Sequence, residues 1–383
     1  TPMLSEAAGG ELDPRHIVSS VQKLPHRITF VQGRVDSIDL ASKTVKLTSG
    51  ADHVPQANRS LTADQLVIAL GSVTNYHGIQ GLADHSLGIK TVADAMHICG
   101  RAVALLDLAA NESDLSKRRA LLTFVVGGGG YTGVETMAAL NDLVRERVRQ
   151  YPSLSADDIR TILIEPGDRL LAEITPDLAA YAQSKLNAHG IEIRLKTEIT
   201  GAGDGYVELK GGERIAAQTL IWAAGITPSP LAAGLDCAHN KHHAIEVDAS
   251  FAVKDRPGAW ALGDCAAIPH SSGKDYAPTA QNATREGMQV ARNIVAVLRG
   301  AKPEPFVYTP IGELALVGKH DGVARIYGHN FSGLPAWVMW RVIYLAKMPG
   351  VGQRSRILLD WTLDFAFGRT ILPVPQELKP HSR

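Results

Sequence analysis

Short apolar runs alternate with longer amphipathic segments through the middle of the chain. "ALLTFVV" (residues 120–126) reads as a buried strand. A glycine-rich stretch separates it from a helix expected from about Thr132 to Arg149, striped by Val134, Met137, Ala138 and Leu143. "RTILIE" (160–165) is the next strand. Thr175 as N-cap and Pro176 at the first helical position start a further helix, which Gly190 stops. "IEIRLKTEIT" and "YVELK" follow as short strands, and "QTLIWAAG" (218–225) closes the set. Apolar strands alternating with helices predict an α/β fold with a parallel, doubly wound sheet.

The beginning of the chain repeats part of this order. Asp13 and Pro14 predict a helix start in "LDPRHIVSSVQKL". "RITFVQGRVDSID" and "KTVKLTS" read as short strands, and "DQLVIALG" (64–71) as a buried strand ending in a small-residue turn. "LVIALG" stands beside "LIWAAG" as the matching end of each copy, which predicts an internal duplication. A chance likeness of two α/β segments is the alternative. The first copy lacks the strand, glycine loop, helix and acid-ended strand with which the second opens. That unit is expected to precede Thr1.

Composition narrows the class. The 383 residues suit two or three domains, and 45% hydrophobic with 20% charged residues is ordinary globular usage. Formal net charge is zero, so no global field favours nucleic acid. Cys99, Cys237 and Cys265 have neither metal nor redox spacing, which argues for a reducing compartment. The histidines of "HNKHH" (239–243) lie in a polar loop without an acid or cysteine at ligand spacing, so no metal site is expected. No signal peptide and no bilayer-spanning apolar run is visible.

The candidate chemistry begins at "VVGGGGYTGVE" (125–135). Gly128, Gly130 and Gly133 have the dinucleotide spacing: one for the tight turn, one for close pyrophosphate approach, one for helix–strand packing. The helix N-terminus behind them favours phosphate. The second strand ends in Glu165, whose carboxylate suits both ribose hydroxyls and repels a 2′-phosphate, favouring NADH; Arg169 nearby works against strict selection. A glycine turn that only packs tightly is the alternative. Glu135, in the helix's first turn, reads from sequence alone as a carboxylate favoured by the helix N-terminus.

A second set lies downstream. "GAWALGDCAAIP" (258–269) is a strand ending in Gly263-Asp264, and "YAPTAQNATREGMQVARNIVAVLRG" enters a helix through a Pro-Thr turn, with Met288, Ala291, Ile294 and Leu298 on one face. With these stretches in place, the chain from Pro2 to Leu372 resembles the type II NADH dehydrogenases, single-subunit flavoproteins with two dinucleotide-binding domains. The likeness is carried in order by "PMLSEAAGGELDPRHI", "LVIALGSVTNYHGIQGL", "LTFVVGGGGYTGVE", "LIWAAGITPSPL", "WALGDCAAI", "APTAQNATREG" and "LLDWTLDFAFGRTILP".

The resemblance implies bound FAD, NADH as donor and a membrane quinone as acceptor. It also implies two Rossmann-like domains, the NADH domain inserted in the FAD domain. The expected boundaries are 1–118 and 238–308 for the FAD-binding domain, 119–237 for the NADH-binding domain, and 309–383 for a C-terminal membrane-interface or dimer segment. By the same resemblance, Ala69, Gly71, Gly263 and Asp264 line the FAD side, with Thr279, Ala280 and Gln281 beside its ring. Ala224 and Gly225 line the NADH side. Glu135 assists proton transfer near nicotinamide and flavin. The family's quinone motif places a second Gln four residues after the first; here Gln281 is followed by Arg285. A cation there still reaches a quinone carbonyl, and it leaves a protein or oxygen acceptor as an alternative; the missing FAD-opening unit leaves a non-catalytic nucleotide binder as another.

The C-terminal stretch 333–372 alternates Trp337, Trp340, Tyr344, Trp361, Phe365 and Phe367 with Arg341, Lys347, Arg354, Arg356 and Arg369. Aromatics with basic flanks suit an interfacial helix in the headgroup layer; a dimer interface or core helix is the alternative. A homodimer peripheral to the cytoplasmic face of the membrane is the resulting expectation.

Overall fold

The computed structural model of the chain describes residues 3–19, 25, 27–48 and 58–367, which form two compact units. The first comprises Thr1–Ser19, Thr74–Gly225 and Ile311–Arg383, and the second Ser20–Val73 and Ile226–Pro310. Residues 74–225 thus stand as an insertion between the two stretches of the second unit.

In chain order, the first unit opens with α1 (Leu4–Ala8). The second contributes an antiparallel meander, β1 (Arg34–Asp39), β2 (Thr44–Thr48) and β3 (Asn58–Thr62), then β4 (Leu66–Ile68). The first unit resumes with β5 (Leu87–Gly88), α2 (Val92–Asn111), β6 (Thr123–Gly127), α3 (Tyr131–Arg147), β7 (Arg160–Ile164), α4 (Pro176–Ala188) and β8 (Ile191–Arg194). A second meander, β9 (Ile199–Gly203), β10 (Tyr206–Leu209) and β11 (Arg214–Ala216), leads into β12 (Thr219–Trp222). Then come β13 (Ala259–Ala261) and α5 (Ala280–Leu298) of the second unit. The first unit ends with an antiparallel sheet, β14 (Gly312–Gly318), β15 (Asp321–Ile326) and β16 (His329–Ser332), and the helices α6 (Leu334–Lys347) and α7 (Val351–Phe367).

The central sheet of the first unit runs β5-β12-β6-β7-β8, every pairing parallel. Its inner strands read as continuous apolar runs because both faces are covered: Phe124, Val125, Val126, Ile162 and Leu163 have no accessible surface. The expected stripe of α3 packs here, with Val134, Met137, Ala138 and Leu143 all buried. Burial of Val134, Met137 and Leu143 contributes about 1.5–3 kcal/mol each. Helix α2 starts in a capping box between Thr91 and Asp94 and buries Ile98, Leu105 and Leu106 in the same core. Residues 74–118 fall in the same compact unit as the glycine loop, and so does the C-terminal region.

Both meanders lead into a short parallel strand, as a repeated plan requires. The expected helix after Asp13 is a turn in the described residues. The Asp13 carboxylate is engaged by the Arg15 backbone N–H at 2.9 Å and by its guanidinium, a local closure that competes with helix formation. Thr175 is the N-cap of α4, but its hydroxyl accepts from Asn330 rather than from the helix.

On helix α5 the apolar face is largely the outer one. Met288 is 53% and Leu298 64% exposed, while Asn282, Glu286, Val290 and Asn293 are buried. Asn293 joins the backbone of Ser250 and Glu304 through three hydrogen bonds, which makes a polar face the inward one.

The C-terminal aromatics also turn inward. Trp340 is 1% exposed, and the Arg341 guanidinium lies between the Trp337 and Trp361 rings, 4.3 and 4.4 Å from their centroids. The exposed face of α6 is aliphatic: Leu334, Val338 and Val342. That of α7 carries Val351, Leu358, Leu359 and Leu363. The side chains of Phe365 and Phe367, and Arg369, lie outside the described residues. No helix among the described residues is long and apolar enough to cross a membrane.

Candidate active site

In the first unit, three glycines shape the loop after β6, each for its own reason. Gly128 has φ +111°, and a Cβ there would lie 2.9 Å from the Ala224 backbone. A Cβ at Gly133 would fall 1.8 Å from the Gly128 carbonyl oxygen, so the first turn of α3 sits directly on the loop. A Cβ at Gly130 would meet nothing within 4 Å; this is open space over the loop. Gly130 is also the N-cap of α3 and gives the helix no side-chain cap, so the first-turn amides are left for an anion. Ala224 and Gly225 leave the carboxyl end of the neighbouring strand β12. The structure thus brings these five residues together where parallel sheets bind nucleotides.

Glu165 closes the loop more tightly than expected. Its Oε2 accepts from the Gly129 N–H and its Oε1 from the Gly167 N–H, both at 2.6 Å. Each oxygen retains a second lone pair at the loop's rim. Arg169 donates to the Ala172 carbonyl at 2.7 Å.

One residue at this rim escaped the sequence reading. The His77 Nε2 lies 2.9 Å from the Ala224 carbonyl, and a Cβ at Gly225 would meet it at 2.7 Å. A carbonyl only accepts, so Nε2 carries the hydrogen. Asn75 takes the Trp222 indole N–H on its own carbonyl at 2.7 Å. Only the match of "SVTNYHGIQGL" to a family stretch marked this segment; no local pattern pointed to the histidine.

Glu135 is held by the C-terminal region. Its Oε1 accepts from the Leu316 N–H at 3.1 Å and from the Trp340 indole N–H at 2.9 Å. The residue keeps some accessible surface, but the carboxyl is enclosed. Burial pushes its pKa up to about 7, and the two donors partly offset this. The reading of Glu135 as a helix-terminus carboxylate misses these partners, which lie 181 and 205 residues away.

In the second unit, β4 and β13 pair in parallel, Leu66 with Ala259 through Ile68 with Ala261. Ala69 and Gly71 therefore leave the same strand end as Gly263 and Asp264. Ser72 donates to Asp264 Oδ2 at 2.6 Å. The Gly263 N–H donates to Glu286 Oε2 on α5 at 2.8 Å, and burial raises that carboxyl above its ordinary range. A Cβ at Gly71 (φ +64°) would enter open space. Thr279 is the N-cap of α5, its hydroxyl accepting from the Asn282 N–H, and Ala280 and Gln281 form the first turn. Arg285 stacks on the Tyr308 ring at 4.4 Å and donates back to the Gln281 carbonyl. Gln281 and Arg285 are thus neighbours.

Known proteins share this plan. A family model described as pyridine nucleotide-disulphide oxidoreductase matches residues 1–287, and one described as NDH2 C-terminal domain matches residues 311–370. A Staphylococcus aureus type II NADH:quinone oxidoreductase is 30% identical over 359 residues, covering 91% of this chain and 86% of the relative. The Mycobacterium tuberculosis type II NADH:quinone oxidoreductase Ndh is 29% identical over 381 residues, covering 95% and 80%. Plasmodium falciparum NDH2, solved in complex with NADH, superimposes with a TM-score of 0.89 at 18% identity, covering 97% of this chain and 92% of that one, which speaks for the fold. The chain therefore belongs to the pyridine nucleotide-disulphide oxidoreductase family and, within it, to the type II NADH dehydrogenases.

Proposed function

We propose that the chain oxidises NADH and passes its electrons through FAD to a membrane quinone, without pumping protons. The observation that carries this reading is an open dinucleotide loop on α3, the helix that also bears a carboxyl tuned to neutrality. The reaction turns NADH, a proton and quinone into NAD+ and quinol. The hydride brings both electrons and one proton, so a second proton must come from elsewhere. Glu135, half-protonated near pH 7, is the group suited to hold it.

The second unit fits FAD: open space over Gly71, an Asp264 carboxylate at a strand end, and the first turn of α5 at Thr279–Gln281. When bound, the flavin supplies a ring that takes a hydride and passes electrons on. Asp264, steadied by Ser72, is placed to accept from hydroxyls of its sugar-alcohol chain. Gly128, Gly130 and Gly133 admit the NADH pyrophosphate, and Glu165 disfavours a 2′-phosphate. Gln281 and Arg285 offer hydrogen-bond donors to a quinone carbonyl.

The aliphatic faces of α6 and α7, with Lys347 and Arg356 beside them, suit the headgroup boundary of the cytoplasmic leaflet. A second copy of the chain is the other partner those faces fit, as a homodimer. A second reading of the chemistry, with a protein or oxygen acceptor, draws on Arg285 standing where the family has glutamine. FAD-loaded protein should turn over NADH with a soluble quinone and float with anionic liposomes. Turnover with oxygen or a redox protein but none with quinones would establish the second reading instead.

A further inference from the structure

Two N–H donors converge on one oxygen of Glu135. The Trp340 indole and the Leu316 backbone both donate to Oε1. A protonated carboxyl carries its hydrogen on the oxygen that is not already accepting, because a hydrogen on Oε1 would point toward the region two donors fill. Oε2 is then the oxygen that gains and loses the proton. Trp340 is nearly fully buried and backed by the Tyr344 ring at 4.4 Å, so its N–H is fixed in direction. The next residue, Arg341, is locked between Trp337 and Trp361 and paired with Glu6 and Glu11 at 3.2 Å. The helix therefore cannot rotate Trp340 away without breaking that clamp.

We infer that Trp340 is a positioning residue for proton transfer: it orients the Glu135 carboxyl, commits the exchangeable proton to Oε2, and sets the pH at which that proton is held. The inference rests on Glu135 handling a proton in the proposed reaction. In that step the Oε2–H bond breaks, the proton it held becomes the second proton of the quinol, and solvent returns a proton to Oε2.

The other titratable and charged groups facing Glu135 are few. Glu6 on α1 and Glu11 just beyond it share the single guanidinium of Arg341, and Asp142, further along α3, accepts from the Lys319 N–H at 3.0 Å. Tyr344 on α6 stays protonated, its hydroxyl pushed well above the ordinary range by burial and by the Glu135 charge. A cavity of about 10 Å³ bordered by Ser5, Glu6, Glu11, Glu135, Asp142 and Trp340 lies alongside, close to the size of a single water.

The indole N–H stabilises the carboxylate, so its loss must raise the pKa of Glu135. The test is Trp340→Phe together with replacement of Trp340 by benzothienylalanine, which keeps the ring size without the N–H and guards against a packing defect. The pH titration of the carboxyl infrared band that Glu135→Gln removes should move up by about one to two pH units in both replacements. The alkaline limb of the kcat profile should move with it. An unmoved band overturns the inference. If Glu135→Gln keeps the wild-type rate and pH profile, the proton-handling reading falls instead, and the infrared titration still decides whether Trp340 positions the group.

Discussion

Helices α3 and α5 each enter a candidate site by their N-termini, and they do so differently. Gly130 begins α3 without a side-chain cap and under open space, so its first-turn amides remain available to a charged ligand. Thr279 begins α5 and satisfies the Asn282 amide with its own hydroxyl, while the Asn282 side chain ties back to the Ala277 carbonyl. The uncapped terminus suits the pyrophosphate proposed for it, and the capped one the neutral ring or carbonyl proposed for it. Each helix also carries a carboxyl raised by burial. Glu135 meets two donors from the C-terminal region, and Glu286 meets one from the Gly263 turn. The α5 terminus satisfies its own first-turn amide, whereas the α3 terminus leaves its amides free for a ligand.

Replacing the acids tests this most strongly. Glu135→Gln should lower kcat on the order of 100- to 1,000-fold, as expected for loss of an acid–base group, and remove the ionisation near neutrality from the pH profile. The same change should alter stability. The Glu135 pKa is near 4.5 when unfolded and about 7 when folded, so its contribution is full below pH 4.5 and is lost as pH rises through 7. Chemical denaturation across that window should show wild-type protein losing about 3 kcal/mol that Glu135→Gln does not lose.

The loop comes next. In Gly133→Ala the methyl carbon would fall 1.8 Å from the Gly128 carbonyl, so the loop must open. NADH binding, read by fluorescence titration, should weaken by roughly 100-fold, the equivalent of strain of a few kcal/mol. The capped terminus gives the smallest effect. Thr279→Ala should reduce stability by about 1 kcal/mol and leave NADH affinity unchanged. Equal losses of NADH affinity in the two variants would erase the distinction between the termini.

The glycine loop and the central sheet were legible because their causes are local. Gly128 is required by a positive φ and Gly133 by a contact five residues back, and both follow from spacing along the chain. The strands of the first unit's sheet declared themselves as apolar runs because both of their faces are covered. Which face of helix α5 turns inward was not legible, because beside Val290 it carries Asn282, Glu286 and Asn293, whose burial depends on partners that local periodicity does not reveal. The C-terminal aromatics misled for a related reason: Trp337 and Trp361 enclose Arg341 instead of facing outward, and the outer face passes to aliphatic side chains.

By itself the order of residues determined the α/β plan, the dinucleotide loop and the family likeness, and through that likeness it named Glu135, Asp264 and Gln281 as candidates. The plan and the loop rest on steric rules and spacings within a short stretch of chain. Only the tertiary structure decided what those groups meet. Glu135 becomes a neutral-range acid because burial in the packed first unit raises its pKa, while Leu316 and Trp340, far along the chain, partly offset that rise by donating to it. Desolvation and hydrogen-bond direction are properties of a packed environment, and periodicity along a sequence does not encode them.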